Sequence, residues 1–285
     1  MRIEALSDRS ITHMIKHHYP RIGAVTPMPR FCANLNFLFT EVPLLDRFEA
    51  AAKAGFKAVE IGNPYEAPAA DIAARLKSNG LDLVLINTAA GDPAKGERGR
   101  SALAGRDKDF EADMEAALAY CAATGCKLVH VMAGLVHQGA RREVFLANLK
   151  KAARRAAAAG VTVVIEPINR RDIPGYFLNK LTEARAIIYE VGEPSLGLQF
   201  DVYHRQVEDG DVAVAMKEYA ALTRHYQIAN PPDRGEPDAG DLNYRWLLAE
   251  IDAGGYVGWV GWEYKPRRTT VEGLSWTKAC GVTLG

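Results

Sequence analysis

The feature that most constrains this chain is an alternation that begins at Phe31 and runs almost to the C-terminus. Short apolar or alternating runs end in turn residues, and a longer stretch of helical spacing follows each one. The strand-like runs are Phe31–Phe37, Ala58–Gly62, Leu83–Thr88, Leu128–Ala133, Thr162–Ile168, Leu196–Asp201, His225–Ala229 and Trp259–Tyr264. Helical spacing falls at Asp46–Ala54, Ala69–Ser78, Phe110–Thr124, Arg141–Ala159, Leu181–Val191, Val212–Ala221 and Tyr244–Ala253, with a last stretch near Thr270–Ala279. Gly55, Gly80, Gly125 and Gly160 each follow the last periodic residue of a helix, where a left-handed cap favours glycine. Eight strand–helix units in about 250 residues predict an α/β fold, a single (βα)8 TIM barrel, because a parallel sheet of that many units closes on itself. An open doubly wound sheet would carry a glycine fingerprint after its first strand, and neither G-x-G-x-x-G nor a Walker loop is present there.

Residues 1–27 stand outside this rhythm. They are basic and histidine-bearing (Lys16, His17, His18), and they precede a second methionine, Met28. They read as an N-terminal extension, with the barrel spanning 28–285. The chain has 35 basic and 35 acidic residues. With no net field to gather nucleic acid or anionic lipid, a small-molecule partner is expected. No apolar stretch reaches the roughly 20 residues of a membrane span, and the opening segment lacks the apolar middle of a secretory signal. A cytoplasmic protein with no membrane or nucleic-acid partner is the expectation, and a homo-oligomer is compatible with it. Cys32, Cys121, Cys126 and Cys280 form no C-x-x-C pair and read as small buried hydrophobes.

Strands buried on both faces should be nearly pure Val, Ile and Leu, so polar oxygen donors at strand ends call for an explanation. Four consecutive strands carry one: Glu166 in VTVVIEPIN, Asp201 in LGLQFDVYH, Gln227 in HYQIAN and Glu263 in WVGWEYKP. In a barrel these ends lie side by side on one rim, the rim where barrel enzymes do their chemistry. Three clustered carboxylates repel one another and need a cation or raised pKa values. An all-oxygen set without cysteine suits Mg²⁺ or Mn²⁺. Pro167 holds Glu166 in extended backbone. Trp262 and Tyr264 flank Glu263 and should point away from it, into the helix layer.

The motifs I-E-P-I-N, F-D-V-Y-H, Q-I-A-N-P and W-E-Y-K-P together resemble the hydroxypyruvate isomerase family, within the larger xylose isomerase-like group of barrels. Supporting motifs are N-L-N-F-L-F-T-E at Asn34–Glu41, G-D-P-A-K-G-E-R-G at Gly91–Gly99 and R-G-E-P-D-A-G-D-L-N-Y at Arg234–Tyr244. The resemblance implies that Glu166 and Glu263 act as proton donor and acceptor. It also implies that both, with Asp201 and Gln227, bind a divalent ion. The expected reaction interconverts hydroxypyruvate and tartronate semialdehyde through an enediolate. A 2-oxo-tetronate isomerase shares these motifs and is the first alternative; a ketose 3-epimerase is the second, although sugar epimerases of the wider group usually carry histidine where this chain has Gln227.

The carboxylate of a small hydroxy-keto acid substrate needs positive or hydrogen-bonding partners. The candidates are His204, Arg234, Lys265 and Arg98, with Lys95 behind them, and His204 and Arg234 lead because their motifs adjoin the ligand strands. The loops Ala89–Asp109 and Asn230–Asn243 are long enough to shield the chemistry from water. His130 and His225 read as core histidines, and Glu60 as a residue that orients a substrate hydroxyl or pairs with a lysine. A metal-dependent nuclease would want a histidine-rich zinc site and a basic groove, neither of which is visible. A barrel that kept only binding would have no use for intact Glu166 and Glu263.

Overall fold

The computed structural model describes residues 28–284; the proposed extension at 1–27 lies outside them. The strands are β1 (Arg30–Asn34), β2 (Ala58–Ile61), β3 (Asp82–Asn87), β4 (Leu128–His130), β5 (Thr162–Ile165), β6 (Leu196–Asp201), β7 (Thr223–Ile228) and β8 (Trp259–Trp262). They pair in sequence order, and β1 closes on β8 to complete a barrel. Every pairing is parallel. The helices are α1 (Leu44–Lys53), α2 (Ala69–Asn79), α3 (Asp107–Thr124), α4 (Arg142–Ala158), α5 (Leu181–Val191), α6 (Val202–Glu208), α7 (Val212–Tyr219), α8 (Tyr244–Ala253), α9 (Thr270–Gly273) and α10 (Trp276–Cys280). Among the described residues no helix is long and apolar enough to cross a membrane.

The predicted barrel is therefore present, with local differences that have physical causes. The first run ends at Asn34 rather than Phe37, because the Asn34 carbonyl accepts from the backbone N–H of Phe37 (3.1 Å) and Leu38 (2.8 Å) and turns the chain. The fourth ends at His130 rather than Ala133, whose backbone instead bridges antiparallel to Gly99 in the loop after β3. A helix not foreseen, α6, starts directly from the end of β6. Asp201 caps it, its Oδ1 accepting from the backbone N–H of Tyr203 (2.7 Å) and His204 (3.2 Å). Gly55, Gly80, Gly125 and Gly160 all adopt the positive φ expected of helix caps.

Strand alternation divides the barrel's side chains between two environments. Outward residues join the helices in the main core, where Trp262 packs on Trp276 (4.5 Å between ring centroids), Phe56 (4.9 Å) and Phe31 (5.3 Å). Tyr264 also faces this layer, its hydroxyl accepting from Trp276 Nε1 (3.1 Å), so neither neighbour of Glu263 points with it. A smaller apolar cluster holds Cys32, Ala58, Val84, Leu85 and Val164, with Leu128 packed against it. Cys32, Ala58, Leu128 and Val164 sit two residues before Asn34, Glu60, His130 and Glu166. The strand faces that carry this apolar floor thus turn polar two positions further on.

Candidate active site

At the C-terminal ends of the strands a cavity of about 380 Å³ opens, within the size range of small-molecule sites. Glu166, His204, Gln227, Arg234, Glu263 and Arg98 are among its lining residues. Glu166 directly follows β5, Asp201 ends β6, Gln227 lies in β7 and Glu263 directly follows β8. The register puts Asp201 opposite Gln227 across the β6–β7 ladder. A groove of similar size, about 370 Å³, lies at the other end of β7 and β8. Its Lys217 and Glu250 pair with each other at 3.0 Å, and no set of acids converges there.

Charge is concentrated in the first cavity. Arg234 Nη2 stands 3.2 Å from Glu263 Oε2 and 3.5 Å from Asp201 Oδ2, while Nη1 donates to Asp172 Oδ2 at 3.2 Å. The guanidinium also stacks over Phe37 (4.8 Å) and Tyr203 (5.0 Å). Arg234 adopts φ of 57°, a left-handed conformation that costs a β-carbon-bearing residue energy and that the surroundings must impose. Burial, then the charges of Glu263 and Asp201, push the Glu166 carboxyl well above the usual carboxylate range. Burial likewise raises Glu263 to about 8, against the pull of Arg234. Glu166 Oε1 and Asp201 Oδ2 are buried without any hydrogen-bond partner. Orphaned carboxylate oxygens of this kind are costly unless a proton or a cation joins them.

Three ligand-bearing groups, Glu166, Asp201 and His204, come within 4.8 Å of one another. The hydrogen bonds around His204 exclude its imidazole as a ligand in this arrangement. Asn169 Oδ1 accepts from the backbone N–H of Asp172 (2.8 Å), so the Asn169 amide must turn its Nδ2 toward His204 Nδ1, 2.6 Å away. His204 Nδ1 is then the acceptor. In the neutral ring, which burial and Arg234 favour by lowering the pKa well below the usual histidine value, Nε2 carries the proton. That N–H faces Asp201 Oδ2 at 3.6 Å and Glu166 Oε1 at 3.8 Å. His204 is thus placed as a donor toward the oxygens of Glu166 and Asp201, and those oxygens are of the kind that could hold a hard cation.

A family profile described as xylose isomerase-like TIM barrel matches residues 48–280. The chain belongs to the xylose isomerase-like TIM-barrel family. A relative from Cupriavidus necator named 2-oxo-tetronate isomerase is 51% identical over 255 residues, 88% of this chain and 98% of its own. One from Escherichia coli K12 named hydroxypyruvate isomerase is 40% identical, covering 87% of this chain and 98% of its own. A solved structure described as AP endonuclease, family 2, from Brucella melitensis superposes with a TM-score of 0.86 at 43% identity, covering 88% of this chain and 99% of that one.

Within this xylose isomerase-like barrel the other expected site residues separate. Arg98 lines the cavity from the loop after β3 with its side chain exposed. Lys95 is exposed in the same loop, 3.5 Å from Asp92. Lys265 is exposed and contributes no lining to the cavity; its backbone N–H donates to the Arg234 carbonyl (2.7 Å). Glu60 pairs with a histidine rather than a lysine, His225 Nε2 lying 2.6 Å from its Oε2. Gln199 was not anticipated: it lines the cavity and its Nε2 donates to Gln227 Oε1 (2.6 Å). The signal for it was available, since Gln199 precedes Asp201 by two residues and so shares its strand face.

Proposed function

We propose that this chain is a metal-assisted isomerase that moves a carbonyl between C2 and C3 of a short hydroxy-keto acid, hydroxypyruvate being the simplest. The observation that carries the reading is the convergence of Glu166 and Glu263, both with raised pKa, on one cavity beside orphaned oxygens of Glu166 and Asp201. Glu166, Asp201, Glu263 and the Gln227 amide oxygen would hold Mg²⁺ or Mn²⁺. When bound, the ion would act as a Lewis acid toward the two adjacent substrate oxygens.

The residues supply the proton traffic. One glutamate, as carboxylate, takes the proton from C3 of HOCH₂–CO–COO⁻, and the electron pair moves to form the C2–C3 double bond of an enediolate. The other glutamate, as the acid, delivers a proton to C2. The proton on the C3 oxygen leaves as that oxygen becomes the aldehyde, and the C2 oxygen gains one, giving OHC–CH(OH)–COO⁻ with all atoms balanced. Burial raises Glu263 to about 8 in the metal-free site, and a bound cation would draw both glutamates back toward the carboxylate form that acts as the base. Arg234 and the Nε2–H of His204 supply positive charge and a donor for the substrate carboxylate or oxygens, and Arg98 adds charge at the mouth.

A second reading, isomerisation of a four-carbon 2-oxo-tetronate by the same steps, is favoured by the 51% identity to the Cupriavidus necator protein. Solved structures described as ketose 3-epimerases are similar at 22% identity or less, which speaks to the fold alone. The test is NMR of purified protein with hydroxypyruvate, 2-oxo-tetronates and free ketoses in turn, in D₂O, with and without chelator. Chelator-sensitive turnover of a keto acid, with deuterium entering at carbon and a rate drop of about 10²–10⁴-fold in Glu166→Gln and Glu263→Gln, is expected. Turnover of free ketoses alone would replace the reading with epimerisation.

A further inference from the structure

Beneath the site lies a second buried carboxylate that the mechanism does not use. Glu60, on β2, is fully buried. Its Oε1 accepts from Asn34 Nδ2 (2.8 Å) and Gln227 Nε2 (2.7 Å), and its Oε2 lies 2.6 Å from His225 Nε2 and 3.5 Å from Cys32 Sγ. The contact with His225 and Gln227 crosses from β2 to β7, which are not neighbours in the barrel. Gly261 on β8 permits the crossing, because a Cβ there would come within 2.5 Å of both Glu60 oxygens.

The direction of these bonds follows from one backbone group. The N–H of Asn36 donates to Asn34 Oδ1 (3.0 Å), which fixes the Asn34 amide with Nδ2 toward Glu60. Glu60 Oε1 is therefore an acceptor, and a Gln227 amide facing the same oxygen must present its Nε2. The Gln227 carbonyl oxygen is then the end that accepts from Gln199 Nε2 (2.6 Å), and both glutamines line the cavity. Reversed, Gln227 would turn an NH₂ toward the acids and offer a cation nothing. We infer that Glu60 is a positioning residue, anchored by Asn34 and His225, whose task is to lock Gln227 with its oxygen toward the metal-binding carboxylates. The inference rests on the metal-assisted reading above. Mutation of such supporting partners typically weakens metal affinity 10–100-fold.

The test is calorimetric titration of the full-length protein with Mn²⁺ alone, without substrate. Glu60→Met keeps a side chain of similar length but offers Gln227 no acceptor, so neither end of the amide is held. Mn²⁺ should bind this variant about 10–100-fold more weakly than wild type. Asn34→Ala, which removes the anchor without touching Glu60, should shift binding in the same direction by less. Both losses should vanish in a Gln227→Ala background, where there is no amide left to orient. Wild-type affinity in Glu60→Met, or an equal loss with and without Gln227, would overturn the positioning role while leaving the metal reading intact. Failure of the wild-type protein to bind Mn²⁺ would overturn both.

Discussion

The barrel interior contains two tiers of buried carboxylate that look alike in composition and differ in how their oxygens are satisfied. In the lower tier, burial alone would raise Glu60, but His225, Gln227 and Asn34 hold its pKa below the usual value. In the upper tier, Glu166 and Asp201 each keep an oxygen with no partner, and Glu166 and Glu263 are pushed upward. A buried carboxylate oxygen without a hydrogen bond is costly unless a nearby charge, a bound ion or a proton compensates it. The contrast matches the proposed roles, orientation for the lower tier and chemistry for the upper.

The largest effect expected from that contrast is on stability. Glu60→Ala strands the donors of His225, Asn34 and Gln227 in a dry interior and should cost about 3–5 kcal/mol, as breaking a buried pair does. Glu166→Gln replaces a carboxyl that burial and its acidic neighbours push toward the protonated form, and should leave the metal-free protein as stable as wild type or more so. Chemical denaturation of the two variants side by side checks this, and equal destabilisation would erase the distinction between tiers.

Divalent metal should act on the upper tier alone. Mn²⁺ at 100 times its dissociation constant should stabilise the protein by about 2.7 kcal/mol. Thermal melts should show the gain in wild type and its loss in Asp201→Asn, while a floor substitution such as Val164→Ala should lower the melting temperature and keep the gain.

The pH dependence sharpens the same point. Glu263 has its folded pKa raised to about 8 from a usual value of 4.5. Its protonated form therefore favours the fold, and that contribution is full below 4.5 and disappears as pH rises through 8. Metal-free wild type should match Glu263→Gln near pH 4.5 and fall progressively behind it toward pH 9 in melting temperature. Added Mn²⁺, which favours the ionised carboxylate, should close the gap at high pH.

The smallest effect concerns the cavity mouth. Arg98 lines it and Lys265 does not, so Arg98→Ala should raise KM several-fold with little change in kcat. Lys265→Ala should change neither, and steady-state kinetics on the keto acid separates the two.

Much of this was legible in the chain itself. Eight alternating units gave the barrel, and oxygen donors at successive strand ends, each interrupting an otherwise apolar run, pointed to the rim where Glu166, Gln227 and Glu263 line one cavity. The lower tier was harder to read. Cys32, Asn34, Glu60 and His225 sit within strands that still look apolar on average, and their partnership crosses the barrel between β2 and β7, a proximity no local pattern encodes. Period-two spacing would have exposed part of it, since His225 shares a strand face with Gln227, as Gln199 does with Asp201. Lys265 illustrates the opposite error: a lysine two residues beyond Glu263 is close in sequence, yet its side chain stands at the surface. The short α6 was hidden because Asp201 both ends a strand and caps a helix, leaving no turn signal between them.

The most direct test of the two-tier account is anomalous diffraction from crystals of the full chain grown with Mn²⁺. A single Mn²⁺ bound by Glu166, Asp201, Glu263 and the Gln227 oxygen, with Glu60 still bonded to Gln227 Nε2, is the predicted result. An ion bound instead at Cys32, Glu60 and His225, or none in the upper tier at saturating metal, would contradict it.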